Sequence, residues 1–227
     1  MIVLRFDAVT KRYPGGQEAL SGVSFELAEG EMAFVTGHSG AGKSTLFKLV
    51  ALMERPTRGS VLLNGRNLGQ ARRGQMPYLR RQIGMVFQDH RLLADRSVAE
   101  NVVLPLVIAA LPRAERGKRV RAALDLVGLL HKERALPAAL SAGEQQRVGI
   151  ARAIVAAPAV LIADEPTGNL DPQLAAEIMA LFAALSRSGT TVLVASHDLH
   201  LVQRLRKRVL VLEQGRLIDD FRPEDPP

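Results

Sequence analysis

The sequence contains no cysteine and no tryptophan, and aromatic residues of all kinds make up only 4% of its 227 residues. Without cysteine the chain can form no disulfide and no cysteine-ligated zinc or iron–sulfur site. Proteins bind single-stranded nucleic acid by stacking its bases on aromatic rings. Because such rings are scarce here, we expect no nucleic acid partner. The longest mostly apolar stretch, 102–111, contains Pro105 and is far shorter than the about 20 residues of a membrane-spanning helix. We therefore expect no membrane span. Since the first residues lack a basic segment followed by an apolar run, we also expect no signal peptide.

Positive charge is in excess, with 30 lysine and arginine residues, 23 aspartate and glutamate residues and a formal net charge of +7. Such a balance suits an anionic partner such as nucleic acid or a membrane surface, but it also results from charged residues on ordinary solvated faces. The sequence leaves these alternatives open. A hydrophobic content of 47% and a charged content of 23% are typical of a folded globular protein. The length fits one domain, or one domain that carries an inserted lobe.

Hydrophobic patterning divides the chain into three parts. Residues 1–88 contain short β-type runs, 89–157 carry helical patterns punctuated by proline, and 158–220 return to alternating strands and helices. This predicts an α/β core over 1–88 and 158–220, a helical lobe inserted over 89–157, and a frayed tail over 221–227. The predicted strands are 2–6, 23–27, 32–35, 59–65, 83–87, 160–163, 190–195 and 209–212, and the predicted helices are 44–53, 97–110, 114–130, 143–156, 172–186 and 200–205.

A glycine-rich segment follows the apolar run 32–35 and leads into the predicted helix 44–53. It matches the phosphate-binding pattern G-x-x-x-x-G-K-[ST]. Its glycines let backbone amides point at phosphate oxygens, and the helix N-terminus adds a favourable field for anions. The lysine is expected to reach the outer phosphates, and the Ser44 hydroxyl to ligate Mg²⁺. The segment predicts a nucleoside triphosphate site made of Gly37, His38, Ser39, Gly40, Ala41, Gly42, Lys43, Ser44 and Thr45.

Two carboxylates, Asp164 and Glu165, end the apolar run 160–163. Parallel strands present ligand-binding groups at their carboxyl ends. Asp164 is placed to hold Mg²⁺, and Glu165 is expected to point to the opposite side of the strand and to polarise the attacking water as a general base. A solvated Asp-Glu turn has the same appearance, and the phosphate loop in the same chain is what favours the catalytic interpretation.

The segment 140–147 reads Leu-Ser-Ala-Gly-Glu-Gln-Gln-Arg and precedes a predicted helix. Ser141 with Glu144 three residues later forms a capping pattern that needs no function of its own. In a chain that also has a phosphate loop, the segment resembles the Leu-Ser-Gly-Gly-Gln signature of the ATP-binding cassette (ABC) ATPases. The resemblance covers nearly the whole chain and departs from that signature at Ala142 and Glu144.

Resemblance to the ABC ATPases implies a fold, a reaction and an assembly. The implied fold class is α/β: an ABC nucleotide-binding domain with a P-loop (RecA-like) core, an N-terminal antiparallel β lobe and an inserted α-helical lobe. The implied cofactors are ATP and Mg²⁺, and the implied reaction is ATP hydrolysis. The implied assembly is a head-to-tail homodimer that forms with ATP, in which the ATP of one subunit is closed by the signature residues Ser141, Ala142, Gly143 and Glu144 of the other.

The same resemblance implies roles for single residues elsewhere in the chain. Tyr13 is similar to the aromatic residue that stacks on adenine, Gln88 to the glutamine that contacts Mg²⁺ and the attacking water, and His197 to the histidine that contacts the γ-phosphate. The segment 169–171 resembles the loop that faces the dimer partner. The methyl group of Ala142 takes room beside the triphosphate, so a slow nucleotide-dependent switch stays open beside a fast ATPase.

Three segments, 30–43, 87–96 and 163–171, are similar to the cell-division branch of the ABC ATPases. This resemblance implies an integral membrane partner of the FtsX type, a peripheral position on the cytoplasmic face of the inner membrane, and contact with the cytoplasmic division ring. It also implies that ATP hydrolysis regulates peptidoglycan hydrolysis across the membrane. The ATPase subunit of a lipoprotein-releasing or macrolide-type exporter is the alternative, because it shares these motifs.

Overall fold

The computed structural model describes residues 1–168 and 170–223. The strands along these residues are β1 (Ile2–Arg12), β2 (Glu18–Ala28), β3 (Met32–Thr36), β4 (Arg58–Leu63), β5 (Arg66–Asn67), β6 (Ile83–Val86), β7 (Val160–Asp164), β8 (Thr191–Ala195), β9 (Arg208–Glu213) and β10 (Arg216–Phe221). The α-helices are α1 (Lys43–Val50), α2 (Met76–Arg80), α3 (Val98–Ile108), α4 (Arg113–Leu126), α5 (Ala142–Ile154), α6 (Pro172–Arg187) and α7 (Leu199–Leu205), with 3-10 turns at Leu130–Lys132 and Pro137–Ala139. Within this described part of the chain, no helix is both long enough and apolar enough to cross a membrane.

The strands form two sheets. An antiparallel sheet has the order β2-β1-β4-β5, and a core sheet has the order β10-β9-β3-β8-β7-β6. In the core sheet β3 runs parallel to β8 and β9, β7 runs parallel to β6 and β8, and β10 is antiparallel to β9. Because parallel strands present their carboxyl ends at one edge, the loops that follow β3, β7 and β8 leave the sheet on the same side.

The core sheet is covered on both faces, which explains its apolar runs. Every residue of β3 is buried. Ala33 and Val35 pack into a core shared with the antiparallel sheet and α1, whereas Met32 and Phe34 pack into a second core with α3, α5 and α6. The predictions of buried strands at 32–35 and 160–163 are confirmed.

The region between β6 and β7 contains the three long helices α3, α4 and α5. A capping box between Ser97 and Glu100 begins α3. The fully buried side chain of Asn101 holds the chain before this helix, because its amide bonds to the backbone of Leu93, Arg96 and Ser97. The helices predicted at 97–110, 114–130 and 143–156 are confirmed, although each ends earlier than predicted.

Several elements differ from the sequence prediction. β1 continues to Arg12 rather than ending at Phe6, because an irregularity at Ala8, with a φ of 46°, interrupts the alternation that the prediction used. The elements β5, α2 and β10 were not predicted, and β10 has mostly exposed side chains that give little hydrophobic signal. Since β10 includes Phe221, the prediction of a frayed tail is wrong at that residue, and 224–227 lie outside the described residues.

Candidate nucleotide-binding site

A cleft of about 970 Å³ lies where the loops after β3, β7 and β8 leave the core sheet, a volume in the range of small-molecule sites. Its lining brings together Tyr13, Glu165 and His197 with the whole phosphate loop, 37–45. The remaining lining was not predicted from the sequence, and it consists of residues 17–19, Thr36, residues 211–215 and Ile218. The cleft thus joins sequence motifs that lie far apart along the chain.

The phosphate loop takes its shape from glycines with positive φ angles. The angle is 140° at Gly37, 81° at Gly40 and 110° at Gly42. A Cβ at Gly37 would collide with the carbonyl oxygen of Leu212, and a Cβ at Gly42 would lie 2.6 Å from the carbonyl oxygen of Ala19. Both positions require glycine, because the loop packs directly on the backbone of β2 and of β9.

Helix α1 begins directly after this loop, and its N-terminus is open to an anion. Gly42 is the N-cap, no side chain caps the first turn, and no acidic residue lies in it. The first amides and the helix dipole are therefore available to a phosphate group. The buried Lys43 ammonium donates to the carbonyl oxygens of Gly37, at 2.6 Å, and His38, at 3.1 Å, which keeps the charge inside the loop. This cradle fits a polyphosphate.

Oxygen ligands for a cation lie beside the loop. The Ser44 hydroxyl hydrogen-bonds to the carboxylate of Asp164 at the end of β7. Burial, and next the charge of Glu165, raise the pKa of Asp164 and outweigh the opposing effects of Ser44 and Lys43. A bound cation relieves both effects, and hydroxyl and carboxylate oxygens are the donors that Mg²⁺ prefers. Among the described residues no three histidine, aspartate or glutamate side chains form a metal cluster.

Glu165 lies one residue beyond β7, in a turn rather than in the strand. Its φ is 46°, and its amide donates to the carbonyl oxygen of Ala195 at 3.1 Å. The side chain of Glu165 lines the same cleft as Ser44, so it lies where a general base for the attacking water is needed. Its Oε1 lies 3.4 Å from Nδ1 of His197. A carboxylate and an imidazole thus meet at the end of the phosphate loop.

Gln88 lies beside Glu165, although it does not line the cleft. A Cβ at Gly168 would lie 3.8 Å from Nε2 of Gln88 and 3.9 Å from Oε2 of Glu165. Both side chains therefore face the turn that follows β7. The structure thus places the predicted glutamine near the predicted general base.

Tyr13 contributes the aromatic ring of the cleft. Its hydroxyl lies 3.5 Å from Oγ1 of Thr45, and the ammonium of Lys11 lies 4.9 Å from its ring centroid. The cation occupies one face of the ring. A flat group such as adenine can therefore stack on the other face only.

The signature residues form the N-terminus of α5 and do not line the cleft of their own chain. The predicted capping box is present: Ser141 Oγ accepts from the Glu144 amide at 3.2 Å, and the Glu144 carboxylate accepts from the Ser141 amide at 3.0 Å. Gly143 is buried against Leu174, whose side chain would have to shift to admit a Cβ, whereas Ala142 is exposed. Of the two positions where the family signature has glycine, the chain thus departs from it at the exposed one, Ala142.

The segment 169–171, predicted to face a dimer partner, leads into α6. Asn169 lies outside the described residues. Asp171 is the N-cap of α6, and its Oδ1 accepts a hydrogen bond from the Leu174 amide at 3.0 Å. Asp171 therefore has a local structural task.

Sequence reasoning missed the contacts that tie residues 88–91, called here the lid loop, to α5. The buried side chain of Gln146 donates to the carbonyl oxygen of Pro166 at 2.9 Å and bonds to the ring of His90. Arg152 donates to the carbonyl oxygens of His90, at 2.6 Å, and of the next residue, at 2.7 Å. The feature that indicates these contacts is a polar residue, Gln146, at a buried position of a helix. Its burial is known only once the fold is known.

Comparison with known proteins shows where this arrangement occurs. Residues 20–168 match the family model of the ABC transporter. The cell division ATP-binding protein FtsE of Escherichia coli K12 is 54% identical over 215 residues, which cover 95% of this chain and 97% of that protein. FtsE of Haemophilus influenzae is 51% identical over 95% of this chain and 99% of that protein. FtsE of Bacillus subtilis is 44% identical over 96% of each.

Solved structures share the architecture. The ATP-binding cassette MJ0796, in a dimeric post-hydrolysis state bound to ADP and phosphate, has a TM-score of 0.88 at 32% identity, covering 98% of this chain and 99% of that one. The protein cbiO1 of Clostridium perfringens, part of the ABC transporter complex cbiONQ, has a TM-score of 0.90 at 35% identity, covering 98% and 89%. The expected fold class, an α/β ABC nucleotide-binding domain with a P-loop core, an antiparallel β lobe and inserted helices, is confirmed. The chain belongs to the ABC transporter family, as an ATP-binding and ATP-hydrolysing cassette of the FtsE group.

Proposed function

We propose that this chain is the ATPase subunit of a membrane complex in bacterial cell division and that it acts with an integral membrane partner of the FtsX type. The observation that carries the proposal is a cleft that joins a phosphate loop to Glu165 and His197, in a chain 44% to 54% identical to FtsE proteins. In this function, ATP hydrolysis on the cytoplasmic face of the inner membrane sends a conformational signal that regulates peptidoglycan hydrolysis at the division ring. The exporter alternative is not favoured, because these relatives are cell division proteins.

The cleft residues divide the binding of ATP among them. The amides of 37–45 and the ammonium of Lys43 hold the phosphates, and Tyr13 stacks on adenine through its open face. Ser44, Asp164 and Gln88 would hold Mg²⁺, which neutralises phosphate charge when bound. The oxygen donors and the raised pKa of Asp164 support this assignment.

Hydrolysis uses the two side chains at the end of the phosphate loop. Glu165 accepts a proton from the water that attacks the γ-phosphate, and ADP is the leaving group. The second side chain is His197, whose Nδ1 lies 3.4 Å from that carboxylate. Its imidazole binds the γ-phosphate. The high exposure of the imidazole, 64%, leaves it free to meet a ligand.

The complete site requires a second copy of the chain. Residues 141–144 do not line their own cleft, yet they begin α5 with a capped N-terminus, which is an anion-binding end. We infer that they close the ATP of the opposite subunit in a head-to-tail homodimer. The dimeric structures of MJ0796 support this assembly.

The membrane partner would dock on the exposed surface that joins α2 to the end of α3. Tyr78 and Ile108 are 64% and 67% exposed, and Arg81 links them: it donates to the Ile108 carbonyl oxygen at 2.7 Å, and its guanidinium lies 5.2 Å from the Tyr78 ring centroid. Exposed apolar side chains joined by an arginine are typical of a protein interface. This surface spans α2 and the end of α3, so a helix bound there touches both the core and the helical lobe.

The chemistry is tested with Glu165→Gln. We expect hydrolysis to fall by about 100-fold or more, because the general base is lost, while ATP binding is kept. ATP-dependent dimers should accumulate, as measured by sedimentation with and without ATP. Glu29→Gln, which changes an exposed glutamate outside the cleft, is the matched control and should hydrolyse ATP normally. Retained hydrolysis in Glu165→Gln contradicts the assignment.

The partner is tested with the same variant. Tagged Glu165→Gln chain is purified with ATP from detergent-solubilised membranes, and the co-purifying protein is identified by mass spectrometry. An FtsX-type protein supports the cell-division function. A permease with lipoprotein- or drug-export partners instead assigns the chain to transport and leaves the ATPase chemistry unchanged.

A further inference from the structure

The signature segment carries a carboxylate where the family signature carries an amide, and both oxygens of that carboxylate are occupied. Oε2 of Glu144 accepts from the Ser141 amide at 3.0 Å, and Oε1 is paired with the ammonium of Lys132. The Lys132 bond is the largest cause that lowers the pKa of Glu144, so this side chain is ionised at neutral pH. A negative charge therefore lies in the first turn of α5.

That charge opposes the proposed task of the helix. The N-terminus of α5 attracts phosphate through its free amides and its dipole. A carboxylate in the same turn weakens the attraction, because it repels the phosphate charges directly. An ammonium group paired with that carboxylate cancels its charge and restores the attraction of the helix N-terminus for phosphate. The capping of the helix does not need the lysine. The side chain of Ser141 accepts from the Glu144 amide, and the side chain of Glu144 accepts from the Ser141 amide.

Lys132 is held firmly enough to perform this compensation. It ends the 3-10 turn Leu130–Lys132, and its carbonyl oxygen accepts from the Ala135 amide at 3.0 Å. The next residue, Glu133, accepts from the Ala99 amide of α3 at 2.9 Å. The turn is thus fixed on α3 while its lysine reaches α5. The side chains of Lys132 and Glu144 are 32% and 24% exposed, so water screens the pair only in part.

We propose that Lys132 is a positioning residue of the composite ATP site, which neutralises Glu144 so that the signature end of α5 can bind the ATP of the opposite subunit. The inference rests on the head-to-tail dimer of the proposed function. In this proposal Lys132 does not touch ATP itself, and it acts on ATP binding through Glu144.

The test measures ATP-dependent dimerisation of the full chain in the Glu165→Gln background, where hydrolysis does not interfere. Lys132→Met should raise the ATP concentration for half-maximal dimerisation by about tenfold, because both sites of the dimer lose a partly screened charge pair. Lys132→Arg should stay near the parent chain. The double variant Lys132→Met with Glu144→Gln should recover, since it removes the carboxylate together with its counter-charge.

Two controls separate this role from a structural one. Arg119→Met removes a cation from the exposed Arg119–Glu115 pair on α4 and should leave dimerisation unchanged. Binding of a fluorescent ATP analogue to the monomer, together with thermal unfolding, should be the same in all variants, because Lys132 lies outside the cleft of its own chain.

Each outcome decides the proposal. Normal dimerisation of Lys132→Met overturns it. A double variant as impaired as Lys132→Met also overturns it, because the lysine then acts by packing and not by its charge. If the Glu165→Gln parent binds ATP but does not dimerise, the proposed homodimer itself is wrong and the inference fails with it, a result distinguishable from failure of Lys132→Met alone.

Discussion

At the scale of single residues, the two glycine positions of the family signature have different neighbours in this chain. Gly143 is buried against Leu174 at the start of α6, so a larger residue there would have to displace this leucine side chain. Ala142 is exposed at the first position of α5, so its methyl group faces solvent or whatever binds this helix end. Alanine also favours helix formation over glycine.

Asp164, the proposed Mg²⁺ ligand, has an electrostatic cost in the ligand-free chain. Its pKa is raised by burial and by Glu165, so its ionised form is less stable in the folded chain than in the unfolded one. This penalty is absent below the ordinary aspartate pKa and is fully present above the raised one. Removing the charge should therefore stabilise the ligand-free chain at neutral pH.

We predict that Asp164→Asn raises the free energy of unfolding of the ligand-free chain by about 0.5–1 kcal/mol at pH 7, a value reduced for partial solvent screening. The gain should vanish as the pH falls below the ordinary aspartate pKa, as measured by thermal unfolding across pH. Asp95→Asn, at an aspartate whose side chain is 78% exposed, is the control and should show no gain. A less stable Asp164→Asn chain at pH 7 would contradict this account.

At the scale of elements, the lid loop is held in an unfavourable backbone conformation by α5. The φ angles of His90 and Arg91 are 54° and 47°, a region that costs energy for residues other than glycine. The bonds from Gln146 and Arg152 offset this cost. Gln146 also bonds to Pro166, so one buried side chain connects the lid loop, the signature helix and the turn that carries Glu165.

We predict that Gln146→Leu lowers the free energy of unfolding by about 1–3 kcal/mol, because the buried carbonyl oxygen of Pro166 and the ring of His90 lose their partner. Amide hydrogen exchange of 88–91 should accelerate, since the lid loop loses one of its anchors. The matched control is Gln145→Leu, because the Gln145 side chain bonds to the backbone of Pro137 and Leu140 and is the neighbour of Gln146 in the same helix. Equal acceleration in both variants would show that the lid loop does not depend on Gln146.

These elements also show how far the sequence could predict the structure. The strands at 32–35 and 160–163 were predictable because burial on both faces leaves an apolar run, and the phosphate loop because its residues are contiguous. The mostly exposed β10 leaves no such pattern. The bond from Gln146 to His90 joins residues far apart in the chain, and no local preference encodes a contact of that kind.

At the scale of the whole molecule, Arg208 joins the two sheets. Its guanidinium donates to the Glu26 carbonyl oxygen of β2 at 2.7 Å and to Glu31 at 3.1 Å, and it binds both carboxylate oxygens of Asp220 at 2.7 Å. The Glu31 carboxylate is buried, which alone raises its pKa, but the Ala28 amide, Arg208 and Arg222 outweigh this and lower it. Glu31 therefore stabilises the fold above its ordinary pKa, and this contribution is lost as the pH falls through the lowered value.

We predict that Arg208→Met lowers the free energy of unfolding at pH 7 by about 2 kcal/mol, because charged hydrogen bonds on three elements are lost together. The difference from the parent chain should shrink as the pH falls from the ordinary glutamate pKa through the lowered pKa of Glu31, because the folded chain then loses the Glu31 charge. Urea unfolding at pH 7 and at a pH in this acidic range measures the difference. Arg5→Met, which breaks an ion pair whose side chains are 49% and 45% exposed, should change stability little at either pH.

The strand order of the core sheet has a consequence for the synthesis of the chain. β3, which leads into the phosphate loop, pairs only with β8 and β9, and both lie near the carboxyl end. A nascent chain on the ribosome therefore carries a mostly apolar strand without its partners until almost the whole protein has been translated. Its long-range pairing makes slow folding the expectation. A truncated translation product ending before β8 would expose β3 and bind chaperones rather than nucleotide, so the cell obtains either a complete ATPase or none.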